Sequence, residues 1–175
     1  MKENPLQTTI KEEVRLEGIG LHTGNKSSLT FRPSLANTGI RFFRADLPGI
    51  PMIPARLAFV VTTVRGTNLG LGEAKVHTIE HVLSACTGLG IDNIDVLTSA
   101  NEPPIMDGSA MPFVEALLRA GLVDQDAPKR WLHLPHEVTY QAKDGGEPIM
   151  EIMKRLHDSG QREGEAAQSQ DCEQV

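Results

Sequence analysis

The sequence predicts an α+β fold, a two-layer sandwich in which helices pack on one face of a sheet. Two observations lead to this prediction. Short segments in the first third of the chain carry apolar residues at period two, and two later segments carry them at the helical period of about 3.6. Strands first and helices later favour one α+β domain, which we expect to cover residues 5–124. A chain of 175 residues can bury one good hydrophobic core.

The predicted strands lie mainly in the first third of the chain. In residues 8–16, Ile10, Val14 and Leu16 share one face, and the glycine-rich stretch at 18–24 then marks a turn. Further short strands with the same alternation are predicted at 27–32, 40–44 and 56–63. Prolines between these segments mark the breaks of a meander.

The first predicted helix covers residues 78–88. Its apolar side chains fall within one arc, whereas His77, Glu80 and His81 fall on the opposite arc. Thr78 is expected to be the N-cap, which places Glu80 and His81 in the first helical turn. The sequence therefore predicts a polar helix face that is separate from the core.

A strand at 92–100 and a second helix at 109–120 follow. The second helix accepts Pro112 in its first turn and ends before Gly121. The helical residues that we expect in the core are Ile79, Val82, Leu83, Cys86, Phe113, Val114, Leu117 and Leu118. Beyond residue 124 the periodicity weakens. It indicates a strand at 131–140, a helical face at 147–158 and a polar tail at 159–175, which we expect to be disordered.

Composition excludes several classes of function. The net charge is −6, and five Phe, one Trp and one Tyr offer few rings for stacking on bases, so no nucleic-acid partner is expected. Cys86 and Cys172 do not suggest a disulfide framework, which fits a cytoplasmic location. No apolar run approaches the roughly 18 residues of a membrane span, so none is expected.

The stretch HTIEH at residues 77–81 has the composition of a metal site with a base beside it. A neutral imidazole can bind zinc, and a neighbouring carboxylate can take a proton from zinc-bound water. One alternative is a solvated helix face that carries two histidines. Another is the H-x-x-E-H zinc metalloprotease signature, in which both histidines bind zinc and Glu147 or Glu151 would be the third ligand. Such proteases are usually much larger than this chain.

Four separated motifs resemble the N-terminal half of the UDP-3-O-acyl-N-acetylglucosamine deacetylases, a family of zinc enzymes in lipid A biosynthesis. The motifs are GIGLHTG (18–24), ANTGIRFFRADLP (36–48), HTIEHVLSACTGLGIDN (77–93) and EPPIMDGSAMPFVEAL (102–117). TTVRGTNLG (62–70) resembles the family loop beside the active site more loosely. The resemblance implies a deacetylase that hydrolyses the N-acetyl group of UDP-3-O-(3-hydroxyacyl)-N-acetylglucosamine.

The resemblance also implies roles for individual residues. Glu80 corresponds to the general base, His81 to a zinc ligand, and His22 to a histidine near the active site that is expected to bind substrate. His77 is then not a ligand. Taken alone, His22 would more often be a loop histidine with a backbone partner, and Asp107 has an equally good reading as part of a turn that leads into a helix.

The chain departs from the family pattern after residue 124. The family completes its zinc site with a His-x-x-x-Asp pair from a second domain, and no such pair follows residue 81 here. We therefore expect residues 125–158 to be a remnant of the beginning of that domain, and the chain to be truncated and inactive alone. A fragment, a frameshift product and a half that works with a separate second-half subunit all fit this pattern. The alternative is a non-enzymatic remnant or interaction module.

Overall fold

The computed structural model describes residues 5–130 and confirms the α+β class. The first half of this region holds β1 (Leu6–Ile10), β2 (Val14–Ile19), β3 (Lys26–Pro33), β4 (Ile40–Arg44), β5 (Met52–Pro54) and a 3-10 helix (Leu57–Phe59). The second half holds β6 (Val60–Thr62), β7 (Asn68–Leu71), β8 (Ala74–Val76), α1 (Glu80–Gly88), β9 (Ile94–Thr98), α2 (Met111–Ala120) and β10 (Leu122–Pro128).

The largest sheet contains five strands in the order β2-β3-β9-β4-β5. Its pairs are antiparallel except β4 and β9, which run parallel. Phe31, Val96, Phe42 and Ile53 lie opposite one another across four adjacent strands, and all four are fully buried. Because paired residues project from the same face of a sheet, this row forms part of the core beneath the helices.

The two helices contact each other, and α2 also contacts β2. Phe113 of α2 meets Phe31 of the sheet edge to face, with ring centroids 6.4 Å apart. Such a T-shaped pair places the positive ring edge against the negative ring face. The other buried residues of α2 and those of α1 are Ala116, Leu117, Ala120, Val82, Ala85 and Cys86. None of the helices in the described region is long and apolar enough to span a membrane.

Two smaller sheets complete the fold. β6, β7 and β8 form an antiparallel three-stranded sheet, and β1 pairs with β10. Gln125 of β10 accepts a hydrogen bond from Asn93 Nδ2 at 2.7 Å and donates one to the Ser34 carbonyl at 2.8 Å. Strand β10 is therefore connected to the body of the fold, and residue 124, the expected limit of the first domain, falls inside it.

Two strand predictions are corrected. Residues 8–16 do not form one strand, because the chain bends at residues 11–13 and passes from pairing with β10 to pairing with β3. An alternation at period two continues across such a bend, so it does not reveal the change of sheet. Within 56–63, residues 57–59 form a 3-10 helix and only 60–62 are extended. The short strands β5, β7 and β8 and the longer strand β10 were not predicted.

The predicted helix cores are mostly confirmed. Ile79, Val82, Cys86, Phe113 and Leu117 are buried. The exceptions are Leu118, which is 55% exposed, and Leu83 and Val114, which are half-buried. The buried positions of α2 follow an i, i+3, i+4, i+7 stripe from Phe113 to Ala120, and Leu118 lies about 100° outside it. The elements predicted at 131–175 lie outside the described residues.

Candidate active site

The turn between β8 and α1 differs from its prediction. Thr78 is not the N-cap, because α1 is preceded by Ile79, whose side chain makes no capping bond. Thr78 instead has a left-handed backbone with φ of 53°, and its hydroxyl donates to Glu102 Oε1 at 2.7 Å. The chain reverses at this residue from strand to helix. The predicted placement of Glu80 in the first turn of α1 is confirmed, and His81 follows it there.

The Glu80 carboxylate lies against the turn at residues 65–67. The Thr67 N–H donates to Glu80 Oε2 at 2.9 Å. A Cβ on Gly66 would lie 3.1 Å from Glu80 Oε1, and Gly66 has φ of +144°, which L side chains rarely adopt. A glycine therefore allows the backbone to approach the carboxylate closely, and the amide of Thr67 orients it.

His22 contacts the same turn. Its Nε2 lies 2.9 Å from the carbonyl oxygen of Arg65. Because a carbonyl oxygen only accepts, His22 donates through Nε2–H, and Nδ1 is the other polar atom of the ring. His22 thus has the backbone partner typical of a loop histidine. His22 and Glu80, which are far apart in the sequence, are both hydrogen-bonded to residues 65–67.

His77 precedes α1 and is hydrogen-bonded to β7. Its Nδ1 donates to Asn68 Oδ1 at 3.0 Å, and the same oxygen accepts the Thr78 N–H at 3.2 Å. The Asn68 amide group donates to the Gly66 carbonyl at 3.1 Å, so the amide orientation is consistent with this network. Burial lowers the pKa of His77 below 6.5, although the nearby Glu102 carboxylate opposes the shift. A neutral ring with the proton on Nδ1 follows.

His81, the predicted zinc ligand, lies in the first turn of α1. It is half-buried. No group of three His, Cys, Asp or Glu side chains in that region could hold a metal ion. Since catalytic zinc normally takes three protein ligands, the described residues do not by themselves fit zinc. His77 lies outside α1, so the helical i, i+4 pair of the metalloprotease alternative is not formed.

Glu102 is the residue of this region that the sequence did not reveal. It is fully buried, and its oxygens accept hydrogen bonds from the His22 N–H at 3.0 Å, the Thr23 N–H at 3.1 Å, the Thr23 hydroxyl at 3.0 Å and the Thr78 hydroxyl. Burial alone would raise the pKa of Glu102, but these hydrogen bonds outweigh it and hold the pKa below 4.5. A single glutamate before two prolines has no periodicity or spacing that would predict this role.

Two clefts meet at His77 and Asn101. The smaller has a volume of about 330 Å³ and is lined by His22, Thr23, Val64, Arg65, Asn68, His77, Asn101 and Glu102. The larger, of about 540 Å³, is lined by polar and charged residues of the strand ends, among them Lys26, Arg44 and Lys75. We assign the site to the smaller cleft because Arg65 and His22 on its wall are hydrogen-bonded to each other, and Arg65 belongs to the turn that binds Glu80. Glu80 and His81 do not line this cleft; Glu80 is related to it only through the turn at residues 65–67.

Asp107 stabilises the turn that precedes α2. Its Oδ1 accepts hydrogen bonds from the N–H and the hydroxyl of Ser109 at 2.9 and 2.8 Å, and the Ser109 hydroxyl oxygen accepts the Met111 N–H at 3.1 Å. These bonds lead the chain into the first turn of α2. They agree with the reading of Asp107 as part of the scaffold.

Comparisons with known proteins agree with the motifs. The family described as UDP-3-O-acyl N-acetylglycosamine deacetylase matches residues 7–153. A UDP-3-O-acyl-N-acetylglucosamine deacetylase of Pseudomonas entomophila is 51% identical over 138 residues, which are 79% of this chain and 46% of that protein. One from Hahella chejuensis is 48% identical over 138 residues, again 79% and 46%. A bifunctional enzyme LpxC/FabZ of Chlorobaculum tepidum is 48% identical over 134 residues, 77% of this chain and 29% of that protein.

The chain thus spans less than half the length of each of these relatives. The matched region nevertheless includes every residue of the candidate site, from His22 to Glu102. By its sequence, the chain belongs to the UDP-3-O-acyl-N-acetylglucosamine deacetylase family.

Proposed function

We propose that this chain supplies the N-terminal part of a zinc-dependent N-deacetylase site that acts on a UDP-3-O-acyl-N-acetylglucosamine. One observation carries the proposal. Glu80 and His81 are adjacent in the first turn of α1, and Glu80 is bound to the same turn, residues 65–67, that binds His22 on the wall of the cleft. The names of the relatives supply the substrate class.

Each of the three residues has a distinct role in this proposal. Glu80 is the general base, and its carboxylate takes the proton of the water that attacks the amide carbonyl of the substrate. The Thr67 amide orients the carboxylate for this transfer. His22 binds substrate through Nδ1, because its Nε2–H is engaged with the Arg65 carbonyl. His81 would contribute one imidazole to zinc, whose chemistry as a Lewis acid is to polarise a carbonyl group.

The remaining groups must come from outside residues 5–130. The described region holds no cluster of three possible metal ligands, and the chain matches less than half the length of its relatives. We propose that a further segment or a separate second-half subunit completes the zinc site, and that the 175-residue chain has no deacetylase activity alone. A cytoplasmic location is part of the proposal, in keeping with the free, buried thiol of Cys86.

Exchange of the matched region tests the proposal. In a graft, the matched 138 residues of this chain replace the corresponding part of the Pseudomonas entomophila deacetylase. We expect the graft to release acetate from UDP-3-O-acyl-N-acetylglucosamine and to hold one zinc ion, and the isolated chain to do neither at micromolar zinc. His81→Ala in the graft should lower its zinc content, whereas His77→Asn should not.

The outcomes separate the deacetylase from a non-enzymatic remnant. A folded graft that holds zinc but has no turnover would mean that the matched region no longer supplies a working general base and substrate-binding surface. If the graft with His81→Ala retains its zinc, His81 is not a zinc ligand. Turnover by the isolated chain would show that it assembles a complete site, against the proposal.

A further inference from the structure

The buried carboxylate of Glu102 joins two segments that are distant in the sequence. It accepts the N–H groups of His22 and Thr23 and the Thr23 hydroxyl from the loop at residues 20–24, and the hydroxyl of Thr78 from the turn before α1. Glu102 itself is 0% exposed. One side chain therefore fixes the loop that carries His22 relative to the turn that leads to Glu80 and His81.

The turn at Thr78 needs such support. Thr78 is β-branched and has φ of 53°, a conformation that is a genuine outlier for a residue of this shape. Strain of this kind persists only where the surroundings determine the conformation. The hydroxyl of Thr78 is bound by Glu102 at 2.7 Å and its N–H by Asn68 at 3.2 Å. Helix α1 begins two residues later, so the direction of its first turn depends on these contacts.

The contacts around the Glu102 side chain favour a carboxylate. The side-chain oxygens of Glu102 receive only donors, from two backbone amides and two hydroxyls. A Cβ on Gly20 would lie 2.6 Å from Glu102 Oε2, so the neighbouring backbone is already close. A glutamine here would place an NH₂ group either against the His22 and Thr23 amides, which cannot accept, or against the Thr78 hydroxyl, which would then have to accept instead of donate. In both cases the negative charge that strengthens these hydrogen bonds is lost.

A second set of contacts relates the loop to Glu80. His22 donates to the Arg65 carbonyl at 2.9 Å, and the Thr67 N–H donates to Glu80. The Ile79 N–H also donates to the Thr67 carbonyl at 3.2 Å. A shift of the His22 loop or of the Thr78 turn would therefore displace residues 65–67, to which Glu80 is hydrogen-bonded.

We propose that Glu102 is a positioning residue of the deacetylase site, whose carboxylate fixes the His22 loop and the Thr78 turn and so sets the placement of Glu80. The inference rests on the proposed function. Glu102 acts through other residues, because Glu80 remains the group that moves the proton. The proposal predicts that loss of its contacts disturbs the site locally, before it weakens the fold as a whole.

Amide hydrogen exchange in the full 175-residue chain, measured by NMR, tests the positioning role without any assay of activity. Three variants are compared with the parent: Glu102→Gln, Thr78→Val, which removes the hydroxyl at similar volume, and Thr78→Ser, which keeps it. We expect Glu102→Gln to speed exchange of the His22 and Thr23 amides about tenfold or more. Thr78→Val should speed exchange of the Thr67 amide by a similar factor. The exchange rates in Thr78→Ser should stay within about threefold of those in the parent.

The amides of β3 and β9, in the centre of the largest sheet, are the reference. Acceleration confined to the site supports positioning. Equal acceleration in β3 and β9 would show that the substitution lowers only the global stability. Unchanged exchange at the site would show that Glu102 does not fix the His22 loop or the Thr78 turn. Either result overturns the inference.

The zinc-loaded graft supplies the second readout. With zinc content unchanged, Glu102→Gln and Thr78→Val should lower kcat about tenfold or more, because small misplacements of a catalytic group are costly, and Thr78→Ser should restore it. If the unaltered graft is inactive, the proposed function fails, and the exchange data alone decide whether Glu102 fixes the loop and the turn. If the graft is active and Glu102→Gln leaves kcat unchanged, only the inference fails.

Discussion

At the scale of single residues, the two histidines on the cleft wall use different ring nitrogens. The Arg65 carbonyl requires a proton on Nε2 of His22, and Asn68 Oδ1 requires one on Nδ1 of His77. Long-range ¹H–¹⁵N spectra of the labelled chain at pH 8 should therefore show opposite tautomers for the two rings. In Asn68→Ala, His77 should lose its preference for the Nδ1–H tautomer, and His22 should keep its preference for the Nε2–H tautomer. The same tautomer in both rings would contradict the hydrogen-bond assignment.

The pH dependence of stability offers a test of Glu102. Hydrogen bonds outweigh burial and hold its folded pKa below 4.5, so the folded state binds fewer protons than the unfolded state in that range. Its contribution to stability is therefore fully present above about pH 4.5 and is lost as the pH falls through the lowered folded value. The difference in unfolding free energy between the parent and Glu102→Gln should be largest near pH 7 and shrink below pH 4.5.

Urea unfolding at a series of pH values measures this difference. Glu17→Gln is a suitable control, because Glu17 is exposed and forms a surface ion pair with Arg15. A difference for Glu102→Gln that stays constant from pH 7 to pH 3 would mean that the carboxylate is not held in its ionised form.

The position of Glu80 and His81 in the first turn of α1 could be predicted from a motif, whereas contacts that arise only from the tertiary structure could not. The adjacency of Glu80 and His81 follows from the sequence alone once a helix starts beside them. Their relation to His22 passes through the carbonyl of Arg65, which no side-chain pattern encodes. Burial of Glu102 depends on donors that lie 24 to 80 positions away, so it emerges only from the fold.

At the scale of elements, the helices were easier to predict than the sheets. A stripe at i, i+3, i+4 and i+7 predicts one buried face of a helix directly, as in α2. Strand partners are not local, and so neither the pairing of β1 with β10 nor the division of residues 8–16 between two sheets could be read from alternation. The strands of three and four residues, β5, β7 and β8, are too short for a periodic signal.

Adjacent leucines in α2 test the assignment of its buried face. Leu117 is fully buried, and Leu118 is 55% exposed. Leu117→Ala should lower the free energy of unfolding by about 2–5 kcal/mol, since it removes buried methyl groups and leaves a cavity. Leu118→Ala should change it by no more than about 0.5 kcal/mol. Urea unfolding of both variants measures the contrast, and equal losses would refute the position of the stripe.

At the scale of the whole molecule, β10 marks how far the described fold extends. It pairs with β1, and its Gln125 binds Asn93 and the Ser34 carbonyl. A chain that ends after Arg130 should keep the unfolding free energy of the first domain, whereas one that ends after Gly121 should lose about 2 kcal/mol or more, because β1 loses its partner strand. Chemical unfolding of the two truncations is the measurement. Equal stability would mean that the fold is complete without β10.

The fold presents Glu80, the proposed base, and His81, the proposed zinc ligand, on one helical turn. The central claim is that this turn serves a deacetylase whose other groups lie outside the described residues. The most direct measurement is the kcat of the zinc-loaded graft with and without Glu80→Gln. We predict that the substitution lowers kcat by about 10²–10⁴-fold, the range that general base catalysis contributes, while zinc content and KM stay near those of the parent graft. A Glu80→Gln graft that binds zinc and retains kcat within a few-fold of its parent would contradict the account.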